Sequence, residues 1–205
     1  MAQTTQRDRT IELLRHNGIM RLTDLRSHGI HAPTLSRMVE EGEIARRGRG
    51  LYELADAEIT LSHSLAEIAV RVPKGIICLI SALAYHEITL QSPKSIWIAI
   101  GEKDRKPRIN HLAVRVLHFG DAAFRSGVQT VRIDGVSVKI FSPAKTVVDC
   151  FRYRRIVGLD VALEALRLAL RSRKATPDEI VRFAKALRIW SVLRPYLESV
   201  VADDT

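Results

Sequence analysis

The chain has 205 residues, of which 46% are apolar, and a formal net charge of +9. That length allows one large domain or two small ones, and that apolar share excludes a wholly disordered chain. The basic balance favours a polyanion or an acidic partner, and no apolar run approaches the ~20 residues of a membrane span.

In chain order, residues 7–17 carry Ile11, Leu13 and Leu14 among charged side chains. This predicts an amphipathic helix ending at Gly18. A short extended piece, 19–21, follows. Thr23 fits an N-cap for a helix through Leu25 that stops at Gly29. Pro33 suits the first turn of a third helix over 33–41, closed by Gly42. Leu35, Met38 and Val39 share one face of it, and Thr34, Ser36 and Arg37 lie elsewhere near its start. Residues 43–45 and 51–54 then read as short strands around Arg46-Arg47-Gly48-Arg49-Gly50. Glycine permits the positive φ of a tight turn, and arginine offers a fork of donors suited to phosphate. Three helices and a basic hairpin define a winged helix-turn-helix over residues 1–54, whose ligand is double-stranded DNA. This segment holds 9 Lys and Arg against 7 Asp and Glu, so its arginines must gather on one face to be useful. Arg46, Arg47 and Arg49 are expected on phosphate or in a minor groove, and Thr34, Ser36 and Arg37 at base edges.

Residues 55–60 read as a linker and 55–205 as a second domain. Ser62 begins a helix that Pro73 stops. Residues 76–80 form an apolar run with the length of a buried strand, although 81–86 reads helical. Strand patterns recur at 96–100 and 113–119. Residues 131–133 and 136–141 flank Asp134-Gly135, a strong hairpin signal. A mixed or antiparallel sheet is expected. After Ser142 as N-cap and Pro143 as first helical residue, the pattern is helical to the end. The fold class is therefore α+β: a winged helix-turn-helix, then a mixed or antiparallel sheet with helices, then a helical C-terminal region.

No catalytic constellation is visible. The seven histidines lack metal-ligand spacing, the two cysteines sit in apolar runs, and there is no phosphate-binding glycine loop. No cofactor and no metal are expected. The polar N-terminus, without a signal-peptide core, points to a cytoplasmic protein. Lys103, Arg105, Lys106 and Arg108 form a basic loop that could hold phosphate or an acidic partner. Arg152, Arg154 and Arg155 end the helix after Ser142, where the helix dipole favours cations. Lys145 and Asp149, four residues apart on that helix, read first as a surface ion pair. All nine could contribute to an antitoxin surface or to further phosphate contacts.

The order of these parts resembles a known family. Ile76-Cys78-Leu79 leads into Ser81-Ala82-Leu83-Ala84-Tyr85-His86. Ser142-Pro143-Ala144-Lys145-Thr146-Val147-Val148-Asp149-Cys150 and Gly158-Leu159-Asp160-Val161-Ala162-Leu163 follow later. Together with the N-terminal domain they resemble the AbiEi antitoxins of type IV toxin–antitoxin systems. Glu87, after His86, departs from that pattern. The resemblance implies a repressor that binds inverted repeats in its own promoter. It also implies an antitoxin that counters a nucleotidyltransferase-fold toxin without a stable complex. Two alternatives remain open on the residues alone. One is a winged-helix regulator that responds to a ligand and has no toxin partner. The other is a nucleic-acid-modifying enzyme.

Overall fold

The computed structural model describes residues 5–48, 50–57, 60–109 and 112–203. It divides into two compact units. Unit 1 comprises Met1–Pro73 with Val131–Val138, and unit 2 comprises Lys74–Thr130 with Lys139–Thr205.

Unit 1 opens with α1 (Gln6–Asn17). Thr5 caps it: its hydroxyl accepts from the Asp8 N–H while the Asp8 carboxylate accepts from the Thr5 N–H. That reciprocal box satisfies two donors a helix start otherwise leaves unpaired. The strand β1 (Met20–Arg21) runs straight into α2 (Leu22–Ser27). The cap of α2 is therefore Arg21, and the expected cap Thr23 sits inside the first turn, its hydroxyl donating to Asp24. Pairing of β1 in the sheet moves the start of the helix back two residues. α3 (Ala32–Glu40) has Pro33 within its first turn, as its missing N–H favours. β2 (Ile44–Gly48) and β3 (Leu51–Leu54) form an antiparallel hairpin, and the sheet order is β1-β3-β2. Leu14, Met20, Leu25, Ile30, Leu35, Met38, Ile44 and Tyr52 make the core of the helix-turn-helix.

The compact unit does not end at residue 54. It includes α4 (Leu61–Arg71), capped by the Thr60 hydroxyl. Its C-terminal end is tied to the sheet twice. Arg21 donates to the Val70 carbonyl, and Arg71 donates to the Arg47 carbonyl. Gly48 allows the second tie, because a Cβ there would strike the Arg71 guanidinium. Residues 131–138 also belong to this unit. Asp134 and Gly135 both have positive φ, as a two-residue hairpin turn demands. Gly135 has a further constraint, since a Cβ would strike the Asn17 backbone at the end of α1.

The second sheet is five-stranded and mixed, and all of it but the 131–138 hairpin end falls in unit 2. Its strands are β4 (Ile76–Ile77), β5 (Ile96–Gly101), β6 (Val114–Phe119), β7 (Val128–Ile133) and β8 (Val136–Phe141), in the order β6-β5-β4-β8-β7. β4 is antiparallel to β5 and parallel to β8, and β5 is parallel to β6. The run 76–80 is a strand for only two residues. At Cys78, whose N–H donates to the Trp97 carbonyl, the chain turns into α5 (Leu79–Tyr85). α6 (Asp121–Arg125) connects β6 to β7. After β8 come α7 (Pro143–Arg152), α8 (Arg154–Val157), α9 (Leu159–Arg171), α10 (Pro177–Ala186) and α11 (Trp190–Asp203). Ser142 occupies the cap position of α7 but makes no side-chain cap bond. Its carbonyl accepts from the Thr146 hydroxyl instead. α7 is the central helix, packed against α5, α9 and α10, and every side chain from Ala144 to Phe151 is buried.

Candidate nucleic-acid interface

In unit 1, burial of Leu35 and Met38 fixes which face of α3 looks outward. Ser36 and Arg37 are exposed on that face, within the first two turns of α3. Thr34 is half-buried and donates to Gln6 Oε1 at 2.9 Å. The same Gln6 oxygen accepts from the His31 N–H at 3.3 Å. Gln6 thus pins the entry of α3 to the start of α1, and Thr34 orients the helix rather than projecting from it. The sequence gives no periodic signal for such a polar tie.

The wing arginines separate. Arg46, on β2, is exposed, and its Nε donates to the Gly48 carbonyl at 3.3 Å. Arg47 takes the bulge of β2, where the pairing register shifts between Arg46 and Gly48. A bulge re-aims a side chain. Here it aligns Arg47 with Glu53 of β3, whose Oε1 accepts from the Arg47 Nε. Glu53 is only 1% exposed, and its Oε2 lies 2.9 Å from His63 Nε2 on α4. His63 Nδ1 lies 3.7 Å from Asp134 Oδ2. Arg47 is therefore a strut in a charged network that sequence periodicity did not reveal. The one available signal was an acidic residue inside a hydrophobic strand. Arg49 lies outside the described residues.

In unit 2, Lys103, Arg105, Lys106 and Arg108 are all exposed. Asp104 holds the start of their loop by accepting from the Gly101 N–H at 3.0 Å. Arg152 and Arg155 are exposed, while Arg154 donates to the Phe151 carbonyl at 3.0 Å, the local role a helix end invites. Lys145 and Asp149 require a correction. Both are 0% exposed, so neither belongs to any surface. Lys145 donates to Asp149 Oδ2, and its Nζ lies 4.1 Å from the ring centre of Phe141 and 5.4 Å from that of Phe119. Burial pulls the Lys145 ammonium down and pushes the Asp149 carboxyl up to about 6, partly opposed in each case by the other partner. The spacing was read correctly, but α7 has no solvent face at these positions. Cys78 and Cys150 are buried free thiols whose ionisation burial opposes. Among the described residues there is no cluster of His, Cys, Asp and Glu able to hold a metal, and no helix is long and apolar enough to cross a membrane.

A small three-helix core, an exposed polar stretch on its third helix and a basic hairpin make a winged helix-turn-helix domain. Residues 8–55 match the family described as "Transcriptional regulator, AbiEi antitoxin", a likeness confined to that segment of the chain. The RV2827C protein from Mycobacterium tuberculosis has a solved structure similar to the fold. The two share 14% identity with a TM-score of 0.62, over 95% of this chain and 77% of that one. No curated protein matches the chain.

Proposed function

We propose that this chain is a cytoplasmic, DNA-binding repressor of its own operon and the antitoxin to a nucleotidyltransferase-fold toxin. The carrying observation is that Ser36 and Arg37 stand exposed on α3, within the segment that matches the AbiEi regulators. Arg37 reads a base edge, Ser36 assists, and Thr34 sets the angle of the helix through Gln6. Arg46 and Arg49 supply phosphate contacts from the wing, with Arg47 partly engaged by Glu53. The operator is an inverted repeat in the chain's own promoter. The division of labour falls between a DNA-binding part and an antitoxin part. The antitoxin part carries the basic side chains Lys103, Arg105, Lys106, Arg108, Arg152, Arg154 and Arg155.

Two measurements test this reading. Binding of the full chain to its own promoter fragment is titrated against a scrambled fragment of equal length. The toxin reading frame beside the gene is then co-expressed with and without the chain. Promoter preference together with relief of growth arrest is the expected result. Equal affinity for both fragments ends the repressor reading, and unrelieved arrest ends the antitoxin reading.

A further inference from the structure

In unit 2 the end of α7, the end of α10 and the start of α6 border a cavity of about 360 Å³. We propose that this cavity binds a small phosphate monoester through Arg152 and Arg188.

Both arginines line the cavity and both are exposed, although they come from the ends of different helices. A helix dipole favours a cation at its C-terminal end, which accounts for either arginine alone. It does not account for two like charges brought to one space. Neither guanidinium makes a hydrogen bond or an ion pair among the described residues. Asp149 attracts Arg152 but is sealed within α7. Two acidic side chains lie closer to the surface. Asp121 lines the cavity, but it is 82% exposed and accepts from Arg125 at 3.3 Å. Glu102 comes within 4.0 Å of where a Gly120 Cβ would stand, but it is exposed and off the lining. Solvent screens both from an anion held between the two guanidinium groups.

The ligand class follows from the donors. Two guanidinium forks present N–H groups from two helix ends. A carboxylate has two oxygens, which one fork occupies. A phosphate monoester has three terminal oxygens and, at neutral pH, about two negative charges, so it can serve both forks. The remaining wall is small or apolar. Ala122, Ala123 and Ala186 leave room beside the phosphate, and Leu187 offers a carbon surface to a short organic body. Arg152 belongs to the basic surface assigned above to the antitoxin part. The site gives it a ligand of its own and does not depend on promoter binding.

Calorimetry of the full chain with ribose 5-phosphate tests the site, with ribose and inorganic phosphate alongside. One saturable site per chain is expected for ribose 5-phosphate, weaker binding for inorganic phosphate and none for ribose. Arg152→Gln and Arg188→Gly should each weaken the binding at least about tenfold. Arg188 has a φ of 56°, and the Arg188 and Ile189 N–H groups donate to the Lys185 and Ala184 carbonyls. Glycine is the usual residue at that point of a helix end, so Arg188→Gly removes the side chain without lowering the melting temperature. Arg167→Gln, an exposed change on α9, should leave the affinity unchanged. Absence of saturable binding to the folded wild type overturns the site. So does binding that survives in the folded Arg152 and Arg188 variants. An equal loss in Arg167→Gln overturns it too, because that reports net charge rather than the cavity. Inorganic phosphate bound as tightly as ribose 5-phosphate overturns the organic body. The salt slope on a scrambled duplex should be the same for Arg188→Gly and wild type. A slope lowered by about 0.9 gives the arginine to a nucleic-acid backbone and overturns the small ligand. None of these outcomes bears on promoter preference or on relief of toxin arrest, so the site and the proposed function fail separately.

Discussion

Glu53 and Asp149 are both carboxylates removed from water, and each has one oxygen held by a cation and the other without a hydrogen bond. Their surroundings differ. Glu53 sits on the wall of a cavity beside a histidine, and its cation, Arg47, is about one-third exposed. Asp149 is sealed in the middle of α7, and its cation, Lys145, is fully buried against Phe119 and Phe141. A buried carboxylate whose cation is partly exposed can share that cation with another partner, so its cost can serve binding. A buried charge that is sealed can only hold the fold in place, and any change to it appears as stability.

The largest effect expected from this contrast is on folding. Lys145→Met leaves Asp149 buried without its partner and should cost about 3–5 kcal/mol. The double variant Lys145→Met with Asp149→Leu should recover most of that loss, because two apolar side chains need no partners. Urea unfolding of the three proteins decides it. A double variant as unstable as the single would show that the pair is coupled to something more than its own charges.

Next comes the pH dependence of the sealed pair. The folded chain holds the Asp149 proton up to about pH 6, against an ordinary value of 3.8. Between these values the folded state binds a proton that the unfolded state releases. Stability contributed by this group is therefore full below 3.8 and falls as pH rises to about 6. By linkage the change is on the order of 3 kcal/mol. The stability difference between wild type and Asp149→Asn, followed from pH 4 to 7, isolates it. A difference that grows in favour of wild type over that window would mean that Lys145 outweighs burial. Arg152, which also favours the charged form, would contribute to the same result.

The contrast also explains what could be read in advance. The α3 face was legible because Leu35, Met38 and Val39 repeat at helical spacing, which fixes where Ser36 and Arg37 point. The Asp134-Gly135 turn was legible because few residue pairs tolerate its backbone. The fate of Arg47 was not legible. It depends on a one-residue bulge and on Glu53 facing inward, and a five-residue strand is too short to show either. Lys145 and Asp149 were misplaced for a related reason. Helical spacing shows which residues share a face, and a helix packed on all sides gives no face to solvent. The short β4 was overread because a run of apolar residues does not distinguish a strand from a buried helix start.

On the DNA side, Arg37→Ala should weaken promoter binding by about 1–3 kcal/mol more than it weakens binding to a scrambled duplex. Its α3 position is exposed, and its guanidinium has no hydrogen bond or ion pair among the described residues. Competition titrations with both duplexes measure the difference. Equal losses on the two would place Arg37 on the backbone and move direct readout elsewhere on α3.

The smallest effect separates Arg46 from Arg47 and addresses the comparison most directly. An arginine free to meet phosphate contributes about 0.9 to the slope of log affinity against log salt on B-DNA. Arg46 is exposed and, among the described residues, bonded only to the Gly48 carbonyl, so Arg46→Ala should lower the slope by close to that amount. It should leave the melting temperature almost unchanged. Arg47 shares its charge with Glu53, so Arg47→Ala should change the slope by clearly less. It should also lower the melting temperature, because a buried Glu53 loses its donor. Adding Glu53→Gln to the wild-type wing should shift Arg47 towards the behaviour of Arg46, with a steeper slope than wild type. Two arginines with equal slopes and equal melting temperatures would mean that the Arg47–Glu53 contact is too weak to hold either residue. The distinction between the two carboxylates would then rest on Asp149 alone.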